Sequence, residues 1–126
     1  MTILVVDDDD FVRMLTRVSL SKVGGMRVLE ASGGAEGLLL AAQEQPDVIM
    51  LDVMMPGMDG ADTLRALRAN PATAAIPVIF LTAKAMPDEK ARLSELGAAA
   101  VFTKPFDPLT IADDVRRVLG PDAGEK

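Results

Sequence analysis

Four apolar runs of the sequence each end on side chains that can do polar chemistry. The run-ending residues are Asp7 with Asp8, Asp52, Thr82 and Lys104, which follow apolar residues 2–6, 48–51, 76–81 and 99–103. If these runs are parallel strands, their carboxyl ends meet at one edge of a sheet, where open α/β sheets bind their ligands. Three carboxylates, one hydroxyl and one ammonium at that edge predict a site for a hard cation and a phosphoryl group.

Composition excludes several other kinds of chemistry. The chain has 126 residues, is 49% hydrophobic and contains neither histidine nor cysteine. That length suits one globular domain. The missing residue types remove disulfides, thiol chemistry, an imidazole base and histidine metal ligands. A phosphohistidine, if one takes part, must come from another chain.

Charge and hydropathy narrow the expected partners and location. The net charge of −6, with no basic cluster beyond Arg116-Arg117, argues against nucleic acid and anionic membranes as partners. No apolar run reaches the roughly 18 residues of a membrane span. A core strand directly after Met1 leaves no room for a signal peptide. We therefore expect a soluble, cytoplasmic protein.

Short apolar runs alternate with amphipathic stretches along the chain. The pattern predicts strands at 2–6, 26–30, 48–51, 76–81 and 99–103, and helices at 10–23, from Ser32 to about 44, 61–69, 88–96 and 108–119. Such alternation is typical of a parallel sheet with helices on both faces. We expect one domain over residues 1–120 and a short polar tail over 121–126.

Two helices carry more detailed predictions. Asp10 is expected to cap the first helix and Ser32 the second. Helical spacing predicts that the first buries Phe11, Val12, Leu15, Val18 and Val23, and that the second turns Ala35, Leu38, Leu39 and Ala42 inward.

Four segments together resemble a known family. They are Ile3 to Asp8, Asp52 to Gly60, Leu81-Thr82-Ala83 and Lys104-Pro105-Phe106. On these segments the chain resembles the receiver domain of bacterial two-component response regulators, in particular the single-domain, chemotaxis-Y-like ones. The resemblance covers nearly the whole chain. It implies an α/β, flavodoxin-like (βα)5 fold, a doubly wound parallel sheet with strand order 2-1-3-4-5. The switch point of that order lies beside the three aspartates.

The resemblance also implies roles for the acidic residues. Asp52 would be the phosphoacceptor, a carboxylate that forms an acyl phosphate. Asp8 and Asp52 would bind Mg²⁺ directly together with the backbone carbonyl of Met54, and Asp7 would act mainly through water. Mn²⁺ is a possible substitute for Mg²⁺. Electrostatics agrees, since two carboxylates about 4 Å apart repel by roughly 1 to 4 kcal/mol unless a cation neutralises them.

At the other two strand ends the resemblance assigns Lys104 and Thr82. Lys104 would pair with Asp52 and then with the added phosphoryl oxygens, and its peptide bond to Pro105 is a candidate for the cis form. The Thr82 hydroxyl would turn to the phosphoryl group. One position departs from the family pattern, because Val101 stands where an aromatic residue is usual. Phe102, next along the chain, is expected to point to the other face.

The expected partners follow from this resemblance. A histidine kinase or histidine phosphotransfer protein would donate the phosphoryl group, and an unknown downstream protein would read the result on the face built from helix four, strand five and helix five. The chain would be a signalling phosphoacceptor rather than an enzyme, although it would assist its own phosphorylation and dephosphorylation. It would be a monomer or a weak, phosphorylation-dependent dimer.

Other interpretations remain open for the same residues. Asp52 can be a helix cap or a solvated loop carboxylate, Asp7 and Asp8 can simply open a helix, and Lys104 can be a surface lysine. For the whole chain, one alternative is a pseudo-receiver, an interaction module that does not use phosphorylation. Another is a metal-dependent phosphohydrolase with an aspartyl nucleophile, which commonly has a second acid where this chain has Met54.

Overall fold

The structure is a computed structural model that describes residues 1–83 and 86–120. Within them the chain forms β1 (Thr2–Val6), α1 (Asp10–Val18), β2 (Arg27–Ala31), α2 (Gly34–Glu44), β3 (Val48–Asp52), α3 (Gly60–Ala69), β4 (Val78–Thr82), α4 (Pro87–Glu95), β5 (Ala100–Thr103) and α5 (Ile111–Leu119). A π-helical turn, Ser19–Val23, continues α1. The predicted tail, residues 121–126, lies outside the described residues.

The five strands described form one parallel sheet in the order β2-β1-β3-β4-β5. The flavodoxin-like α/β fold and the predicted strand order are therefore confirmed. Every residue of β3 and β4 is buried, as expected for central strands that helices cover on both faces. No helix in the described part of the chain is long and apolar enough to cross a membrane.

The described residues pack into two hydrophobic clusters, one on each side of the sheet. Leu4 and Leu51 face the side that carries Leu64 of α3, whereas Ile3 and Met50 face the side that carries Val115 of α5. This division follows from the two-residue period of a strand. In β5 the same alternation places Val101 against the first cluster and Phe102 against the second, as predicted.

The first helix differs from its prediction in its cap and in its buried face. Asp9, not Asp10, is the N-cap, because its carboxylate accepts the backbone N–H groups of Phe11 and Val12. Phe11 and Val23 are exposed. Thr16 and Ser19 are buried instead, and each donates its hydroxyl to the carbonyl four residues earlier. These internal hydrogen bonds satisfy the hydroxyls and so make polar residues acceptable on the inner face.

The predicted inner face of α2 was wrong for Ala35 and Leu39 and right for Leu38, which packs against the first cluster. Its buried residues are Gly34, Gly37 and Ala41, while Ala35 and Leu39 are exposed. The helix approaches β1 so closely that a Cβ on Gly37 would lie 2.9 Å from Val6 Cγ2. Small residues therefore face the sheet, which a search for large apolar side chains does not find.

The predicted N-cap of α2, Ser32, was also wrong. Gly33 occupies the N-cap position without a side-chain hydrogen bond. Ser32 instead donates its backbone N–H to the Glu36 carboxylate, at 2.7 Å. The side chain of Glu36, in the first turn of the helix, thus accepts a hydrogen bond from the backbone that precedes the helix.

Candidate functional site

The carboxyl ends of the central strands bring the predicted acidic residues together. Asp7 and Asp8 follow β1, and Asp52 is the last residue of its neighbour β3. One carboxylate oxygen from each of these three residues lies within 4.8 Å of the other two. The sequence prediction that these side chains share one edge of the sheet is met by this geometry.

Asp7 is fixed on every side. It is 2% exposed, and its backbone N–H donates to the Ala31 carbonyl on β2. Its Oδ1 accepts the backbone N–H of Asp9 at 2.9 Å, and its Oδ2 accepts Lys104 Nζ at 3.2 Å. A buried carboxylate needs such partners, because an unpaired charge in the interior is costly.

Asp52 is also buried, and its carboxylate lies in unfavourable electrostatic surroundings. Its Oδ1 accepts the Met54 backbone N–H at 3.2 Å and lies 3.4 Å from Lys104 Nζ. Burial and the neighbouring Asp7 charge raise the pKa of Asp52 to about 6, although Lys104 and the Met54 N–H act in the opposite direction. The group is therefore ionised at neutral pH but is held in unfavourable surroundings, which an added cation would relieve.

Asp8 differs from the other two aspartates because it is exposed. Two buried carboxylates with one exposed carboxylate form an oxygen-only donor set, open to solvent on one side. This set fits Mg²⁺, which binds through one or two carboxylates and keeps several waters. The Met54 side chain is 62% exposed and is not part of the cluster.

Lys104 and Thr82 complete the edge on the far side of Asp52. The Lys104 ammonium bridges Asp7 and Asp52, so it is not an isolated surface lysine. Its peptide bond to Pro105 is cis, as predicted. The buried Thr82 ends β4, and its carbonyl accepts the Lys104 backbone N–H at 2.8 Å. That bond ties the ends of β4 and β5 together beside the acidic cluster.

Sequence reasoning overlooked Arg13, which contacts this edge from α1. Its Nη1 donates to the Asp7 carbonyl at 2.8 Å. A signal was present in the sequence, since an arginine six residues after an acidic strand end can reach back from the first turns of a helix.

Comparison with known proteins identifies the family. The family model described as the response regulator receiver domain matches residues 3–116. The chain belongs to this family. Receiver domains are the signalling phosphoacceptors of two-component systems, and they bind Mg²⁺ at an acidic pocket. They interact with a kinase or phosphotransfer partner and with downstream targets. This receiver domain has an acidic cluster, formed by Asp7, Asp8 and Asp52.

Individual relatives agree with this assignment. The receiver domain is 38% identical to protein PilH of Pseudomonas aeruginosa, over 93% of this chain and 96% of PilH. It is 37% identical to the phosphate regulon transcriptional regulatory protein PhoB of the same organism, over 98% of this chain but 55% of PhoB. It thus spans nearly all of one relative and about half of the other. The chemotaxis protein CheY4 of Vibrio cholerae has a similar structure, with a TM-score of 0.86 and 32% identity over 93% of this chain and 97% of that one.

Proposed function

We propose that this receiver domain accepts a phosphoryl group on Asp52 from a phosphohistidine of another chain, with Mg²⁺ bound at Asp7, Asp8 and Asp52. One observation carries the proposal. The same small volume contains three clustered carboxylates and a lysine that lies 3.4 Å from the proposed acceptor. An acceptor, a cation site and a fixed positive charge are the parts that phosphoryl transfer to a carboxylate requires.

The contacts of Asp52 indicate which atoms take part. Among residues 1–83 and 86–120, the Met54 N–H and Lys104 contacts both fall on Oδ1, so we assign the attack to Oδ2. A bond then forms between Oδ2 and phosphorus as the bond between phosphorus and the donor nitrogen breaks. The imidazole nitrogen keeps the electron pair and leaves. We propose that Lys104 and the Thr82 hydroxyl hold the transferred oxygens.

The proposed cation ligands are carboxylate oxygens of Asp8 and Asp52 and the Met54 carbonyl, with Asp7 acting through water. When bound, Mg²⁺ would offset negative charge on the incoming phosphoryl group. Mn²⁺, which has similar ligand preferences, is expected to substitute. Burial, and then the neighbouring Asp7 charge, raise the pKa of Asp52 by more than Lys104 and the Met54 N–H lower it, and a bound cation would oppose that rise.

The partners are proposed from chemistry and from the surface. The chain has no histidine, so a phosphohistidine donor must lie on another chain, and we propose a histidine kinase or a histidine phosphotransfer protein. A pocket of about 310 Å³ on the face formed by α4, β5 and α5 has Val101, Phe102 and Phe106 in its lining. We propose this face as the surface that a downstream protein reads, and residues 1–120 as the whole receiver unit.

Incubation with acetyl phosphate and Mg²⁺ is expected to add one phosphoryl group to the protein, visible by intact-mass spectrometry. Excess EDTA should abolish the addition, because the clustered carboxylates then repel the donor. Mn²⁺ should restore it. As a matched control, Asp62→Asn removes an exposed carboxylate of α3 and should label normally. Labelling that persists in EDTA would contradict the cation requirement, and no labelling under any condition would favour the pseudo-receiver alternative.

A further inference from the structure

Arg13 links the acidic cluster to two structural elements behind it. Its side chain is only 17% exposed. Besides the Asp7 carbonyl, the guanidinium contacts Asp10 Oδ1 at 2.6 Å and Glu30 Oε1 of β2 at 3.5 Å. One planar group therefore joins the β1–α1 loop, the start of α1 and the end of β2. A guanidinium suits this task because its donors lie in a rigid fork.

The atom that Arg13 contacts makes the link relevant to the cation site. The Asp7 carbonyl belongs to the planar peptide unit that leads to Asp8. Holding that oxygen at 2.8 Å fixes the plane from which the Asp8 side chain departs. The contacts of Asp7 with Ala31 and Lys104 lie outside this peptide unit. The Asp9 N–H on Asp7 Oδ1 closes an Asx turn that includes it, and Arg13 holds the same unit from its carbonyl side. Asp8 itself is exposed.

We propose that Arg13 is a positioning residue for the cation site: its hydrogen bond to the Asp7 carbonyl sets the direction of the Asp8 carboxylate. This inference rests on the proposed function, because it concerns how the cation is held. It assigns Arg13 no contact with the cation or with the phosphoryl group.

If Arg13 positions Asp8, its removal should weaken Mg²⁺ binding. If Arg13 acted only through its charge, its removal should tighten Mg²⁺ binding. A positive charge near a cation site repels the cation, so its removal would tighten binding. The Arg13 charge is, however, already balanced by Asp10 and Glu30. We therefore expect the positioning effect of Arg13 on Mg²⁺ binding to exceed its charge effect. Lysine is not expected to restore binding, because its ammonium is a point charge without the planar fork of donors.

The test compares Arg13→Lys and Arg13→Gln with the wild-type protein. Mg²⁺ binding is followed from the amide NMR shifts of Asp8 and Asp52. Both variants are expected to need about tenfold more Mg²⁺ for half-saturation, as for other groups that orient metal ligands. Phosphorylation by acetyl phosphate should show the same shift in Mg²⁺ dependence and recover fully at saturating Mg²⁺. A general folding defect would instead lower the plateau at every Mg²⁺ concentration.

Arg17 offers the matched control on the same helix. It also pairs with Glu30, at 3.2 Å, but its side chain is 41% exposed, and no contact joins it to Asp7 within the described residues. Arg17→Lys and Arg17→Gln should change Mg²⁺ half-saturation by about twofold or less, as expected for a surface ion pair.

Three results would overturn the inference. They are wild-type Mg²⁺ binding in Arg13→Lys, tighter binding in Arg13→Gln, and equal effects at Arg13 and Arg17. If the Arg13 variants do not fold, the double variant Asp10→Asn/Glu30→Gln releases both carboxylate anchors of the guanidinium. It should weaken Mg²⁺ by about threefold, and unchanged binding would count against the inference. Failure of the wild-type protein to bind Mg²⁺ would instead refute the proposed function.

Discussion

Replacing Gly60 by alanine is expected to lower the free energy of unfolding by about 2 to 3 kcal/mol. Gly60 is the first residue of α3, and its N–H donates to the Val53 carbonyl at 2.9 Å. A Cβ there would lie 2.5 Å from the Asp52 carbonyl oxygen and 2.8 Å from Val53 Cα. Those atoms are backbone, so the clash can be relieved only by moving α3 away from the end of β3.

Urea unfolding measures this effect, and Gly33→Ala is the control. Gly33 is also next to the start of a helix, but it has extended backbone and no atom within 4 Å of a built Cβ. Its substitution should change stability by less than about 1 kcal/mol. Because the clash falls on the backbone of Asp52, the proposed phosphoacceptor, Gly60→Ala should also slow labelling by acetyl phosphate. Equal stability of the two variants would show that the β3–α3 loop is looser than this packing implies.

Replacing Asp52 by asparagine is expected to stabilise the metal-free protein at neutral pH while removing phosphoacceptance. The pKa of Asp52 rises from 3.8 to about 6, mainly through burial and then through Asp7. The folded state therefore holds this proton more tightly than the unfolded state does. As pH rises from about 4 to about 6, ionisation costs the folded state stability, and above about pH 6 the cost is complete. Asparagine keeps the shape of the side chain and avoids that cost.

The stabilisation that Asp52→Asn gives should increase as pH rises. We expect Asp52→Asn to add on the order of 2 kcal/mol at pH 7 and about 1 kcal/mol less at pH 5, measured by urea unfolding in EDTA. The control Asp113→Asn changes an exposed carboxylate of α5, and should alter stability by about 0.5 kcal/mol or less. A gain from Asp52→Asn that shrinks as pH rises would mean that the sign of the pKa shift is wrong.

The sheet was predictable because its strands are short apolar runs with polar ends. β3 and β4 are buried throughout, so their continuous apolar sequence was enough to predict them as strands. Helix faces were less predictable. On α2 the buried residues are two glycines and an alanine, and a Cβ on Gly37 would lie 2.9 Å from Val6 of β1. The spacing of large apolar side chains does not predict how closely the backbone of a helix approaches the sheet.

The site was predictable to the extent that it lies at strand ends. Asp7, Asp52 and Lys104 each end a strand or follow one, and a parallel sheet brings such ends together. Arg13 was not predicted, because its role depends on where a long side chain reaches in three dimensions. A raised pKa was expected from the clustering of the aspartates, but its largest cause at Asp52, burial, was not predicted.

The location of the added phosphoryl group tests the central claim most directly. After reaction with acetyl phosphate and Mg²⁺, borohydride converts an acyl phosphate to an alcohol, and peptide mass spectrometry then identifies the modified residue. We predict that Asp52 alone is converted and that Asp52→Asn takes up no label. Conversion at Asp7, Asp8 or Asp59, or full labelling of Asp52→Asn, would contradict the assignment of Asp52 as the phosphoacceptor.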